Sequence, residues 1–142
     1  MTDKILLFVY GTLRPSVKGN AMTKAAFYGG THAGKATTKG QLYNIGWFPG
    51  AIFNVESSGT IVGDVLELPE TVLTRLDRYE GCVYPNVSSN LYNRVKVLVQ
   101  QEFNDEGETK GVECWAYEYN NTEELGENNL IASGDWLNEV AK

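Results

Sequence analysis

Hydrophobic residues in this chain come in short runs, and that limits the folds open to it. The longest run near the N-terminus, Ile5-Leu6-Leu7-Phe8-Val9, is cut off by Tyr10-Gly11-Thr12. It falls far short of the roughly 20 apolar residues that a membrane span needs. It is also too short for a signal-peptide core, so the chain reads as a soluble cytoplasmic protein. A run of this kind ending in glycine reads instead as a buried first strand over residues 4–10.

Further strands are expected over residues 35–43, 51–55, 60–68, 91–101 and 110–120, the last two joined by Asn104-Asp105-Glu106-Gly107. Helical signals are few. Asn20 can cap a short helix over residues 20–28, which Gly29-Gly30 ends. After Pro69, the residues Val72, Leu73, Leu76 and Tyr79 recur at helical spacing up to Gly81. In that helix Leu76 and Tyr79 are expected to face the core, with Asp77 and Arg78 in water. A last short helix is expected over residues 135–140. This order of elements argues an α+β fold: one small domain over residues 1–142, on a largely antiparallel sheet that is strongly curved or closed.

The chain has 142 residues, which suits one domain, and 12 basic residues against 18 acidic ones give a net charge of −6. Such a chain is repelled by a phosphate backbone, so nucleic acid is a poor partner. The charge is uneven. Residues 1–40 hold six Lys/Arg and one acid, Asp3, whereas residues 102–127 hold nine Asp/Glu and only Lys110. The acidic stretch reads as a solvated hairpin and tail, with a protein-interaction surface as the alternative. A sharper reading of the same asymmetry is that the basic third favours a small anionic ligand. Cys82 and Cys114 show no CxxC or zinc spacing and read as buried free thiols. His32 is the only histidine, which excludes a His pair or a three-His metal site. Nothing in the sequence sets an oligomeric state.

Four segments could carry chemistry. In Tyr10-Gly11-Thr12-Leu13-Arg14 the glycine lets backbone approach a ligand closely, and successive N–H groups can face an anionic oxygen; a plain turn is the alternative. No phosphate-loop pattern accompanies it. In Leu76-Asp77-Arg78-Tyr79-Glu80-Gly81, Glu80 sits at the negative end of a helix dipole, which disfavours its charge. Partial burial raises such a carboxyl further, a useful property for proton transfer. Tyr92 and Arg94, two apart on a strand, project from one face. Ser133-Gly134-Asp135-Trp136 reads as a helix cap with an anchoring aromatic.

Taken together, FVYGTLRP at 8–15, LDRYEG at 76–81, Tyr92-x-Arg94 and SGDW at 133–136 resemble the gamma-glutamylcyclotransferase-like family, including its gamma-glutamylamine cyclotransferase branch. The resemblance implies a small mixed sheet closing into a barrel with a few flanking helices. It implies a reaction without metal or organic cofactor, in which the α-amine of a gamma-glutamyl compound attacks its own side-chain carbonyl. The products are 5-oxoproline and a free amine. It further implies Glu80 as the proton-transfer residue, and a substrate cradle at Tyr10, Gly11, Thr12 and Leu13 with Tyr92 and Arg94 nearby. Residues 44–50 and 84–91 are the loops expected to meet the leaving group. A non-catalytic small-molecule binding module on the same fold is the competing reading.

Overall fold

A computed structural model describes residues 3–11, 31–46 and 48–136. The helix expected at 20–28 lies outside them, as do Thr12, Leu13 and the end of the helix expected at 135–140. The elements are β1 (Lys4–Val9), β2 (Thr31–Asn44), β3 (Pro49–Phe53), β4 (Thr60–Pro69), a 3-10 turn (Glu70–Val72), α1 (Leu73–Tyr79), β5 (Tyr92–Glu102), β6 (Thr109–Tyr119) and β7 (Leu130–Ile131).

Strands β2, β4, β1, β6 and β5 pair in that order. β5 returns to β2 at Ala36↔Gln101 and Thr37↔Gln100, which closes a barrel. All joints are antiparallel except β1–β6, which is parallel and registered at Leu7↔Trp115. The expectation of a closed, largely antiparallel α+β fold is met. β3 and β7 pair with the far end of β2, outside the barrel joints.

Why β1 is an unbroken apolar run is plain from its position. Phe8 points into the cluster that fills the barrel, with Ile61, Val65, Val99 and Ala116. Leu7 and Val9 point the other way, into a second cluster with Leu66, Leu68, Val72 and Leu76. A strand covered on both faces has no polar side to show in its sequence. β2 starts at Thr31 and is therefore longer than expected. Its first residues are polar and glycine-containing, and a bulge between His32 and Gly34 interrupts the register with β4. His32 Nε2 there lies 2.9 Å from Asp64 Oδ1.

The helix after Pro69 departs from expectation on two residues. Leu76 is fully buried, but Tyr79 is 43% exposed. Asp77, expected in water, is buried. The reason is long-range: Asp77 finds a cation and a hydroxyl on β5 and β6. Cys82 and Cys114 are free and buried, as expected. Trp136 is buried in the barrel-filling cluster. The Gly134 carbonyl accepts the Val62 N–H at 2.8 Å, which ties the SGDW segment to β4.

Candidate active site

The C-terminal turn of α1 is a Schellman motif, and it sets where Glu80 stands. The Gly81 N–H donates to the Arg78 carbonyl at 3.2 Å, and the Cys82 N–H to the Asp77 carbonyl at 2.8 Å. Gly81 has φ +63, the left-handed conformation this motif requires. Glu80 is thus the C-cap, with φ −88 and ψ 2, and its N–H donates to the Leu76 carbonyl at 2.9 Å. From there the chain leaves the helix and the side chain enters a cavity.

That cavity has a volume of about 280 Å³. Its walls come from the end of β1 (Phe8, Val9) and the turn after it (Tyr10, Gly11), from Phe48 and Pro49, from Tyr79, Glu80 and Leu91, and from Tyr92 and Tyr117. The size is near the lower end for small-molecule pockets, roughly 300 Å³ and above. The walls are mostly aromatic and aliphatic, with hydroxyls and one carboxyl among them. Desolvation by these walls raises the Glu80 carboxyl from 4.5 to about 7. Among the described residues its side chain has no hydrogen-bond or ion-pair partner. Burial, followed by the charges of Tyr92 and Glu80, pushes the Tyr10 hydroxyl well up. Burial and then the Glu80 charge raise Tyr92. Burial and the bond to Asp77 raise Tyr117, with a further contribution from the Glu80 charge. At neutral pH these phenols act as neutral hydrogen-bonding groups, which leaves Glu80 as the wall group poised to exchange a proton.

The tyrosines also brace the cavity. Tyr10 donates its hydroxyl to the Tyr117 carbonyl. Tyr92 donates to the Pro49 carbonyl at 2.5 Å. Gly11, expected to leave room for a ligand, also meets a protein neighbour: a Cβ there would come within 2.8 Å of the Pro49 ring. So the turn, Pro49 and Tyr92 form one contiguous wall.

Of the residues singled out in the sequence, Tyr10, Gly11, Glu80 and Tyr92 meet at this cavity. Thr12 and Leu13 lie outside the described residues. Arg94 does not line it. Although Tyr92 and Arg94 share a face of β5, the Arg94 guanidinium is buried against Asp77, with Nε 3.1 Å from Asp77 Oδ1. Sequence reasoning missed Tyr117, Tyr79 and Val9 as wall residues. Only the strand alternation of β6, read together with a correct pairing to β5, could have found Tyr117. The loop from Cys82 to Leu91 is held by asparagines. Asn90 Oδ1 accepts the Val83 N–H at 2.8 Å and its Nδ2 donates to the Val83 carbonyl at 3.0 Å. Asn120 Nδ2 donates to the carbonyls of Ser88 and Asn90.

Comparison with known proteins bears on this geometry. The family model described as "Gamma-glutamyl cyclotransferase, AIG2-like" matches residues 7–138. The gamma-glutamylcyclotransferase family protein YtfP of Escherichia coli (strain K12) is 31% identical over 135 residues, covering 92% of this chain and 95% of that protein. Gamma-L-glutamyl-butirosin B gamma-glutamyl cyclotransferase of Niallia circulans is 31% identical over 120 residues, covering 84% of this chain and 69% of that protein. The crystal structure of YkqA from Bacillus subtilis superposes with a TM-score of 0.67 at 28% identity. It covers 99% of this chain, which spans only 44% of that longer one. An AIG2-like protein from Mus musculus shares the fold, with a TM-score of 0.68 at 22% identity over 94% of this chain and 88% of that one. With the closed barrel and a family match spanning nearly all of the sequence, the chain belongs to the gamma-glutamylcyclotransferase-like (AIG2-like) family.

Proposed function

We propose that this chain, acting as a single domain over residues 1–142, is a cytoplasmic enzyme that cyclises the gamma-glutamyl group of a gamma-glutamyl amine or amino acid. The products are 5-oxoproline and the free amine. The observation that carries the reading is Glu80: a carboxyl raised to about 7, without a partner among the described residues, in a small cavity beside the Gly11 turn. The relative from Niallia circulans, named for a gamma-glutamyl cyclotransferase reaction, supports it.

In this mechanism the substrate's α-amine arrives as an ammonium and cannot attack until it loses a proton. Ionised Glu80 takes that proton. The amine nitrogen forms a bond to the gamma-carbonyl carbon, and the bond from that carbon to the leaving nitrogen breaks. The new ring nitrogen then sheds a second proton by way of Glu80, and the leaving nitrogen, having gained both protons, emerges as an ammonium. Protons balance, and neither water nor a cofactor is consumed. A carboxyl with a pKa near the working pH is suited to both transfers. Attack within one molecule is already tethered, so the pocket's main task is to hold the bent conformer. Backbone groups of Tyr10, Gly11, Thr12 and Leu13 are assigned to the substrate's oxygens, where fixed donors stabilise developing charge. Arg94 acts outside the cavity.

The test is release of 5-oxoproline from a panel of gamma-glutamyl amines and amino acids, by the parent and by Glu80→Gln. Turnover by the variant should fall by about a hundred- to ten-thousand-fold while ligand still binds. Parental turnover in the variant would refute the mechanism. A parent that binds panel members but releases nothing would be the binding module instead.

A further inference from the structure

The Arg94 guanidinium sits in a corner between two rings, 3.9 Å from the Tyr84 centroid and 4.4 Å from that of Trp115. Its Nη2 donates to Asp77 Oδ2 at 3.3 Å, and its Nε lies 3.1 Å from Asp77 Oδ1. Asn86 holds its backbone on both sides, accepting the Arg94 N–H at 3.1 Å and donating to the carbonyl at 3.0 Å. Asp77 Oδ1 also accepts the Tyr117 hydroxyl at 2.7 Å. We propose that Arg94, acting through Asp77, is a positioning residue, and that the buried Arg94–Asp77–Tyr117 cluster holds the last turn of α1 against β5 and β6 and so places the Glu80 carboxylate in the cavity. The proposal rests on Glu80 being the proton-transfer group.

The geometry argues for this in two ways. Asp77 is the residue whose carbonyl closes the Schellman turn onto Cys82, so pinning its side chain pins the turn that contains Glu80. α1 has seven residues, too few to hold direction without tertiary contacts. Its buried apolar residues, Leu73 and Leu76, take its first and middle positions, and Tyr79, its last residue, is exposed. The ion pair therefore supplies the anchor where the apolar face runs out. The same cluster reaches β1, because the Tyr117 carbonyl accepts the Tyr10 hydroxyl. A buried pair of this kind adds little net stability over an apolar substitute, so its use here is geometric.

Removing Arg94 alone would strand a buried carboxylate and risk the fold, so the test uses the charge-balanced pair Asp77→Asn with Arg94→Gln, and Arg94→Lys as the conservative variant. The charge of Glu80 is felt by Tyr10 just after β1, by Tyr92 of β5, by Tyr117 of β6 and by the Cys82 thiol, and Asp77 and Arg94 act on the last two of these. Because the double variant leaves net charge unchanged, a moved Glu80 titration reports position rather than a lost charge. Carbon-13 NMR of glutamate-labelled protein follows that titration, with the Glu80 signal identified by its loss in Glu80→Gln. A thermal melt confirms that each variant is folded.

The double variant is expected to titrate lower than the parent by about one unit or more. Its kcat for a gamma-glutamyl anilide should fall by about a hundredfold with KM little changed. Arg94→Lys should recover part of both. An unmoved Glu80 titration and a kcat close to the parent's would overturn the proposal. If the parent's Glu80 titrates in the ordinary carboxylate range, the proton-transfer reading fails. The clamp is then judged by whether the double variant shifts the Glu80 signal selectively, and an unmoved signal overturns it too.

Discussion

The two faces of β5 and β6 are built from alternate residues of the same ladder, yet they differ in kind. Inward, Val97, Val99, Cys114 and Ala116 join the apolar filling of the barrel. Outward, Tyr92, Arg94, Tyr117 and Tyr119 are buried as well, but each carries a polar atom bonded to a partner. Tyr92 faces Tyr119 across the ladder, and Arg94 faces Tyr117. The inner face holds the fold together mainly by packing, with Gln101 bonded to the Ala33 carbonyl and Glu118 accepting the Phe53 N–H. The outer face, roofed by α1, gives Tyr92 and Tyr117 to the cavity, which Phe8 and Tyr10 of the barrel-filling cluster also line. Along these two strands alternation thus sets most of the apolar packing on one side and the cavity tyrosines on the other, and substitutions on each side should have separable consequences.

The inner side should give the largest stability loss. Ile61 is fully buried in the barrel cluster. Ile61→Ala should cost about 2–5 kcal/mol of unfolding free energy, read by denaturant titration, and should leave kcat per folded molecule unchanged. A kcat falling in step with stability would break the separation of the two faces.

On the outer side, Glu80→Gln should stabilise, and only above acidic pH. The folded-state carboxyl is raised from 4.5 to about 7. Below 4.5 it is protonated in both folded and unfolded chains and costs nothing. As pH climbs through that interval the unfolded state loses its proton first, so the parent's stability declines until Glu80 has ionised in both states. The glutamine variant escapes this loss. At pH 8 it should be more stable by up to about 3 kcal/mol, with the gain vanishing in acid. Melts across pH would show a constant gap instead if Glu80 were not desolvated.

The smallest effect is expected at the edge of the outer face. Lys96 Nζ lies 3.8 Å from Glu113 Oε1 and 4.5 Å from the Trp115 ring, and both charged side chains are exposed. Lys96→Met should change stability by less than about 1 kcal/mol. A larger loss would mean that the corner around Trp115, and with it Arg94, depends on this cation.

Most strands were legible in the sequence, because apolar runs bounded by turn residues mark them whatever they pair with. The start of β2 was not: Thr31, His32, Ala33 and Gly34 carry no strand signal, and their pairing with β4 comes from tertiary structure. Closure through Ala36 and Thr37 is equally silent in local sequence: the order of elements left the sheet curved or closed, and the family resemblance chose the barrel. Glu80 could be singled out from its place at a helix end. Asp77 could not be placed correctly, since its partners lie on β5 and β6, 17 and 40 positions away. The same long-range pairing turned Arg94 from an apparent cavity residue into a buried one. Helical spacing alone could not decide whether Tyr79 faces the core or the cavity mouth.

In the proposed reaction Glu80, desolvated in the cavity, is the group that moves the proton. Its most direct test is kcat/KM for 5-oxoproline release across roughly pH 5–9, in parent and in Glu80→Gln. The parent should show an acidic limb with its midpoint at about 7, and the variant should lose that limb. A midpoint near the ordinary glutamate value of about 4.3, or the same limb in Glu80→Gln, would contradict it.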